Sequence, residues 1–328
     1  MPLIAKVGRK KWKVKFLFIG ITIFLWLGVV IHLFPVWWIF SSSLKGNVEI
    51  FAFPPTFFPH TPYWGVYKLL IKGASKLLPY PLWIYIKNSV ILVVGVILLQ
   101  VPLSAIIAYT LSKLHRPRWS RILFLFFVGT MFVPSEVSLI PSYLILQNFP
   151  FPSRSIPNIP FTNTTFPHIN FLNTYWAVIL PSMVNAFNVL LFKGYFDTIP
   201  NEIINAARLD GSSEIGILRR IILPMSKPIF AVVGYFTFTG IWGSFLWPLI
   251  VLNKPDLWPI SVTIYKAQET IARLGISARP SSGEIEEIGF LGWNGIMALS
   301  VMESIPVIIG FLIFREYLMK GIKLRGFK

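Results

Sequence analysis

The residues able to do chemistry in this chain are few, and most lie inside apolar sequence. Glu136 and Glu303 fall within hydrophobic stretches, as do Gln147, Asn185 and Asn188. A carboxylate in hydrocarbon costs roughly 2.5 kcal/mol or more, so both acids are expected to face a bundle interior or water. The amides fit one of two uses: hydrogen bonding to a hydroxylated ligand, or pairing between helices. Trp242, Trp247 and Trp258 are placed either to stack on the face of a ligand ring or to belt a membrane interface.

Other chemistries find no constellation. His32, His60, His115 and His168 are scattered, with no H-E-x-x-H spacing, and read as structural or interfacial. There is no G-x-S-x-G elbow and no G-x-x-x-x-G-K-[ST] phosphate loop, so the chain does not bind ATP in that way. Cysteine is absent, which excludes disulfides, thiol chemistry and Cys-ligated metal. A membrane-embedded enzyme and a channel stay as alternatives, the latter without any filter-like motif.

The elements that must carry these residues are membrane helices. Of 328 residues, 55% are hydrophobic and 13% charged, against about 25% charged in ordinary chains. Mean hydropathy is +0.67. A bilayer core of about 30 Å needs about 20 apolar residues per helix, and six stretches qualify: 16–40, 89–112, 122–147, 174–192, 229–252 and 294–314. Their prolines are common in membrane helices. The +17 formal charge is better explained by basic cytoplasmic loops than by nucleic acid. Lys6, Arg9, Lys10, Lys11, Lys13 and Lys15 precede the first span. Lys113, His115, Arg116, Arg118 and Arg121 follow the second, and Lys193, Arg208, Arg219, Arg220 and Lys227 follow the fourth. Arg315, Lys320, Lys323, Arg325 and Lys328 close the chain. All fall on one side if the spans alternate, with both ends inside. Residues 1–15 then form a basic cytoplasmic N-terminus, and 16–328 one transmembrane domain.

One charged segment interrupts the apolar sequence: "NEIINAARLDGSSEIGILRRIILPMSKP", residues 201–228. Thr198 is suited to cap a helix with Pro200 in its first turn, and Glu202 sits where the helix end favours a carboxylate. Ile203, Ala206 and Ala207 form an apolar stripe at i, i+3, i+4. Asp210-Gly211 signals a turn. A second short helix follows, capped by Ser212 or Ser213, with Glu214 in its first turn and Arg219 and Arg220 near its end. Leu223 precedes Pro224 and is expected to leave the α region. The spacing predicts two short amphipathic helices joined by a glycine elbow, either lying on the membrane or docking a cytoplasmic partner.

This segment resembles the "EAA" loop of ABC-importer permeases, E-A-A-x-x-x-G followed by I-x-L-P. Ala206-Ala207-Arg208-Leu209-Asp210-Gly211 and Ile221-Ile222-Leu223-Pro224 match it; Asn205 stands where the pattern has Glu, and Glu202 matches an acid common in the sugar branch. "PVWWIFSSSLK", "NSVILVVGVILLQVPLSAIIAYTLSKLHRP", "MFVPSEVSLIPSYLIL", "LNTYWAVILP" and "FLWPLIVLNKPDLWPISV" resemble stretches of the MalG-type carbohydrate permeases. The likeness is weakest at 67–85, 149–169 and 272–288, which read as external elaborations.

The resemblance implies an all-α membrane protein with the ABC importer type I permease fold: six transmembrane helices and a cytoplasmic EAA coupling loop over 198–228. It implies a permease subunit of an ATP-driven importer in a bacterial cytoplasmic (inner) membrane. Its expected partners are a second, MalF-like permease, two copies of an ABC ATPase and an extracytoplasmic solute-binding protein delivering a sugar or oligosaccharide. A non-sugar solute is the alternative cargo. ATP and Mg would be bound by the ATPase, and no cofactor or metal by this chain. Glu202, Ile203, Asn205, Ala206, Ala207, Asp210, Gly211, Leu223 and Pro224 are the expected coupling residues, and Glu136, Asn185, Asn188, Trp242 and Glu303 the candidate translocation path.

Overall fold

A computed structural model describes residues 12–73, 78–114, 117–149, 169–273 and 292–323. The basic residues expected at 6–11, 115–116, 325 and 328 lie outside the described residues, as do His168 and most of the elaborations at 149–169 and 272–288. The described parts of Met1–Leu77 and Gln268–Met302 form one compact unit, and those of Leu78–Ala267 and Glu303–Lys328 another.

In the first unit an unbroken apolar run forms helix α1, Trp12–Ser43, with Pro35 inside it. Its side chains from 15 to 37 are exposed apart from Gly28, as suits a helix whose solvent is lipid. The polar exit is the opposite: Ser41, Ser42, Ser43 and Lys45 are all buried. The Lys45 ammonium lies 4.4 Å from the Trp38 ring centre and donates to the Thr56 carbonyl. Ser41 Oγ donates to Phe57 O at 2.7 Å, and Ser43 Oγ shares a 2.6 Å hydrogen bond with the Tyr67 hydroxyl. These bonds fix the chain leaving α1 through α2, Asn47–Ile50, and α3, Gly65–Lys72.

The second unit is built on α4, Leu82–Tyr109, which continues as a π-helical turn over Thr110–Leu114. Against it pack α8, Ala186–Phe196, and α12, Lys227–Trp242. Between them run α5, Pro117–Thr130; α6, Leu139–Gln147; α7, Trp176–Ile179; α9, Asn201–Leu209; α10, Glu214–Ile217; and α11, Leu223–Met225. Helices α13, Leu246–Val251, α14, Ile260–Arg273, and α15, Trp293–Lys323, complete the order. Asn88, fully buried, ties three segments together. Its amide donates to the Asp256 and Trp258 carbonyls at 2.8 and 2.9 Å and accepts from Tyr175 OH at 2.7 Å.

Three expected spans are broken helices. The stretch 122–147 is α5 and a second segment, Ser135–Gln147, that contains α6; the two are bent by 89° at the break over residues 131–134, where Pro134 has no N–H and restricts the residue before it. The stretch 174–192 holds only one turn of helix before Pro181, then irregular chain to Asn185, where α8 begins. The stretch 229–252 stops at Gly243 and restarts at Leu246. Among the described residues, three helices are long and apolar enough to cross a membrane, Val14–Ser43, Leu82–Leu114 and Trp293–Met319, or up to five if each bent pair counts as one span.

Candidate functional site

The charged interruption folds as a rigid bracket. Helix α9 starts at Asn201, with Pro200 rather than Thr198 as its N-cap; Thr198 instead donates to Tyr195 O at 2.7 Å. Pro200 has no side-chain acceptor to offer the free N–H groups of the first turn, so no side chain caps them. The helix ends in a Schellman turn: Gly211 N–H bonds Arg208 O and Ser212 N–H bonds Ala207 O, both at 3.0 Å. Gly211 takes φ +78°, which glycine adopts without Cβ strain. Ser213 then caps α10 by accepting from Gly216 N–H at 3.2 Å.

The two helices are locked to the end of α4. The Glu214 carboxylate accepts from Arg208 Nε at 2.7 Å and from the buried Tyr109 hydroxyl at 2.6 Å. The Arg208 guanidinium also donates to Lys113 O at 3.2 Å. Lys113 Nζ in turn donates to Ile199 O and Asn201 Oδ1, each at 2.8 Å. The Arg208 hydrogen bond holds the Glu214 carboxyl below the ordinary carboxylate range against the opposing effect of burial, and Tyr109 adds to the lowering. Beneath these bonds Ile204, Ala207, Ile217 and Ile222 join Tyr109, Phe192 and Phe196 in one apolar core.

The stripe expected from Ile203, Ala206 and Ala207 is therefore split. Ala207 is 8% exposed and belongs to the chain's own core. Ile203 and Ala206 face outward, continued by Leu209 at 90% and Ile215 at 79% exposure. Leu209 and Ile215 were not part of the stripe expected from the sequence. Glu202, Asn205 and Asp210 are exposed; Asn205 Oδ1 accepts from Arg208 at 3.3 Å. Leu223 stays helical at φ −57°, ψ −48°, contrary to expectation. The π turn at Leu218–Ile222 widens the helix ahead of Pro224, which relieves the ring clash. The chain bends by 82° between Glu214–Met225 and Lys227–Trp242.

Of the amides expected inside the membrane, Asn185 and Asn188 come together at the break before α8, whereas Gln147 stands apart at the end of α6. Asn188 Nδ2 donates to Gln100 Oε1 at 2.9 Å and to Thr237 Oγ1 at 3.0 Å, Thr237 donates to Gln100 Oε1 at 2.9 Å, and Gln100 Nε2 donates to Ser182 O at 2.6 Å. Asn185 caps α8 by accepting from Asn188 N–H at 3.1 Å. Beside them is a cavity of about 360 Å³ whose lining includes Gln100, Ser182, Asn185, Phe187, Asn188 and Phe236. Gln100 and Thr237 were missed in the sequence, since each is one polar residue in an apolar run.

The remaining candidates lie elsewhere. Glu136 is exposed at the α5–α6 bend, its carboxylate accepting from Ser135 Oγ at 3.1 Å. Trp242 is buried and donates to the Glu303 carbonyl at 2.9 Å, so it binds α12 to α15 instead of offering a free ring. Trp247 and Trp258 donate to Ala177 O and Leu252 O at 3.0 and 2.9 Å. The Glu303 carboxylate makes no hydrogen bond or ion pair to a described residue.

Long apolar helices, broken around paired amides and joined by a rigid charged loop, define a helical membrane protein of the permease class. The chain belongs to the binding-protein-dependent transport system inner membrane component family, whose model matches residues 100–323. It is 26% identical to the sn-glycerol-3-phosphate transport system permease protein UgpE of Salmonella choleraesuis (strain SC-B67) over 307 residues, 92% of this chain and 96% of that protein. UgpE of Escherichia coli O1:K1 / APEC is 26% identical over 297 residues, 90% of this chain and 92% of its own. In fold it is similar to a bacterial ABC transporter involved in import of the acidic polysaccharide alginate, with TM-score 0.68, 21% identity, and coverage of 94% of this chain and 98% of that one. A second structure, of bacterial alginate ABC transporter with a pentasaccharide-bound periplasmic protein, matches with TM-score 0.62 and 14% identity over 93% and 96% of the two chains.

Proposed function

We propose that this chain is one of two permease subunits of an ATP-driven importer that takes up a sugar or oligosaccharide by alternating access. An extracytoplasmic binding protein delivers the solute, a second MalF-like permease completes the path, and two ATPase subunits bind ATP and Mg. The chain crosses the inner membrane six times as a single permease domain, residues 16–328, with both termini cytoplasmic. Residues 198–228 are the coupling element. The relatives' cargoes, a glycerol phosphate and an acidic polysaccharide by their names, are hydroxyl-rich, which supports a sugar-like solute.

The observation that carries this reading is the bracket of Tyr109, Arg208 and Glu214. Force from a soluble ATPase must enter the bilayer through an element that does not yield. The bracket leaves Ile203, Ala206, Leu209 and Ile215 outward for helix-in-groove docking while its inner face is part of the membrane unit's core. The proposal is tested by co-expressing the chain with its partner permease, ATPase and binding protein in proteoliposomes. Uptake of neutral sugars should require all four proteins and ATP. Uptake by the chain without the ATPase would overturn it.

A further inference from the structure

The amide network at the α8 break has spare hydrogen-bonding capacity in a place where none is expected. Asn188 is 3% exposed. Its amide nitrogen uses both hydrogens, on Gln100 and Thr237, while its carbonyl oxygen accepts from no described residue. Gln100 Nε2 uses one hydrogen on Ser182 O and has a second to give. Asn185 spends its carbonyl oxygen on the α8 cap and retains its amide hydrogens. These unpaired groups are open to the cavity they line, Asn185 being exposed, and a group that both donates and accepts satisfies them together. A hydroxyl is such a group, donor and acceptor at one atom.

The same cavity has an apolar wall. Phe187 and Phe236, both partly exposed, stand with ring centres 6.1 Å apart, and both line it. No charged side chain does. At about 360 Å³ the space lies at the small end of small-molecule sites, roughly 300–1,000 Å³. Amides on one side and aromatic faces on the other match a sugar ring, with hydroxyls at its edge and C–H groups on its faces. An anionic cargo would need a countercharge that this lining does not hold.

We propose that this cavity is a solute subsite contributed by this chain, taking one ring of a neutral, hydroxyl-rich cargo, with Asn185, Asn188 and Gln100 reading hydroxyls and Phe187 and Phe236 covering a ring face. This rests on the importer function proposed above. The test uses the complete importer in proteoliposomes with Val184→Cys, a lining position to which no hydroxyl contact is assigned, in this chain, which has no other thiol. Alkylation by N-ethylmaleimide is followed on this chain's band during turnover. The probes are a partial hydrolysate of starch and xylan, and glycerol 3-phosphate. The hydrolysate should slow alkylation on the order of tenfold, as expected for a site occupied with at least one directed hydrogen bond, and glycerol 3-phosphate should not. In parallel, Asn185→Ala combined with Phe187→Ala should lower neutral-sugar uptake about tenfold, with assembly by size exclusion retained. Four outcomes overturn the subsite: unprotected alkylation while the hydrolysate stimulates ATP hydrolysis, protection by glycerol 3-phosphate, no alkylation at all because the partner permease covers the cavity, or unchanged uptake by the double variant. If neither probe stimulates ATP hydrolysis by the unmodified importer, the proposed function itself falls, and this subsite with it.

Discussion

At the scale of single residues, the bracket turns on one carboxylate. Glu214 joins Arg208 to the Tyr109 hydroxyl, and both ends of the ion pair are more than a third exposed, so solvent screens it. Tyr109→Phe should therefore cost about 1 kcal/mol rather than the larger value of a buried charged hydrogen bond, read as a lower thermal unfolding midpoint. The folded pKa of Glu214 lies below its unfolded value of about 4.3. Its stabilisation is thus complete above that value and is lost as pH falls through the lower folded one. The midpoint difference between wild type and Glu214→Gln should be constant from pH 8 to 5 and shrink in more acidic solution. A difference that instead grows under acid would contradict the assignment. Ser213 and Gly211 were legible beforehand, because caps and left-handed turns are written in neighbouring residues. The partners of Asn188 were not: Gln100 and Thr237 lie 88 and 49 residues away, and nothing in a local pattern pairs them.

At the scale of elements, the apolar composition announced helices but not where they break. Pro134 and Pro181 read as tolerable in a membrane helix; the chain instead ends helices beside them and exposes backbone at the bend and at the cavity. The stripe on α9 shows the same limit. A run at i, i+3, i+4 marks a face, yet not which way each residue points: Ala207 joins Ile204 in the core while Ile203 and Ala206 stay exposed. Ala207→Glu should consequently destabilise the chain itself, lowering the yield of folded protein, whereas Ile203→Glu should leave folding intact and weaken ATPase co-purification. At the elbow, Gly211 has open space around the position of a Cβ, so the penalty of substitution is in the backbone. With φ at +78°, Gly211→Val should cost about 1–2 kcal/mol and reduce coupled hydrolysis more than it reduces membrane insertion. In α15, Glu303 holds Trp242 through its backbone carbonyl, which a side-chain change spares. Glu303→Ala should alter solute uptake with assembly intact; unchanged uptake would leave its carboxylate without a role in the path.

At the scale of the whole molecule, a permease chain with no phosphate loop takes its energy from a separate ATPase, and its net charge of +17 bears on which face would meet it. On the proposed topology, basic residues at the end of α4 and through the bracket share the cytoplasmic face, where an ATPase would dock. The family was legible in the motifs because the EAA-like segment is short and local; the identity of the cargo was not, since a cavity is assembled from distant helices. The most direct measurement is solute-stimulated ATP hydrolysis by the complete importer carrying Leu209→Glu, beside wild type. Leu209 is almost fully exposed, so the variant should fold and insert normally. The expected result is stimulation in wild type and its loss in the variant, together with loss of the co-purified ATPase. Wild-type stimulation by Leu209→Glu, with the ATPase still bound, would contradict the placement of coupling on this loop.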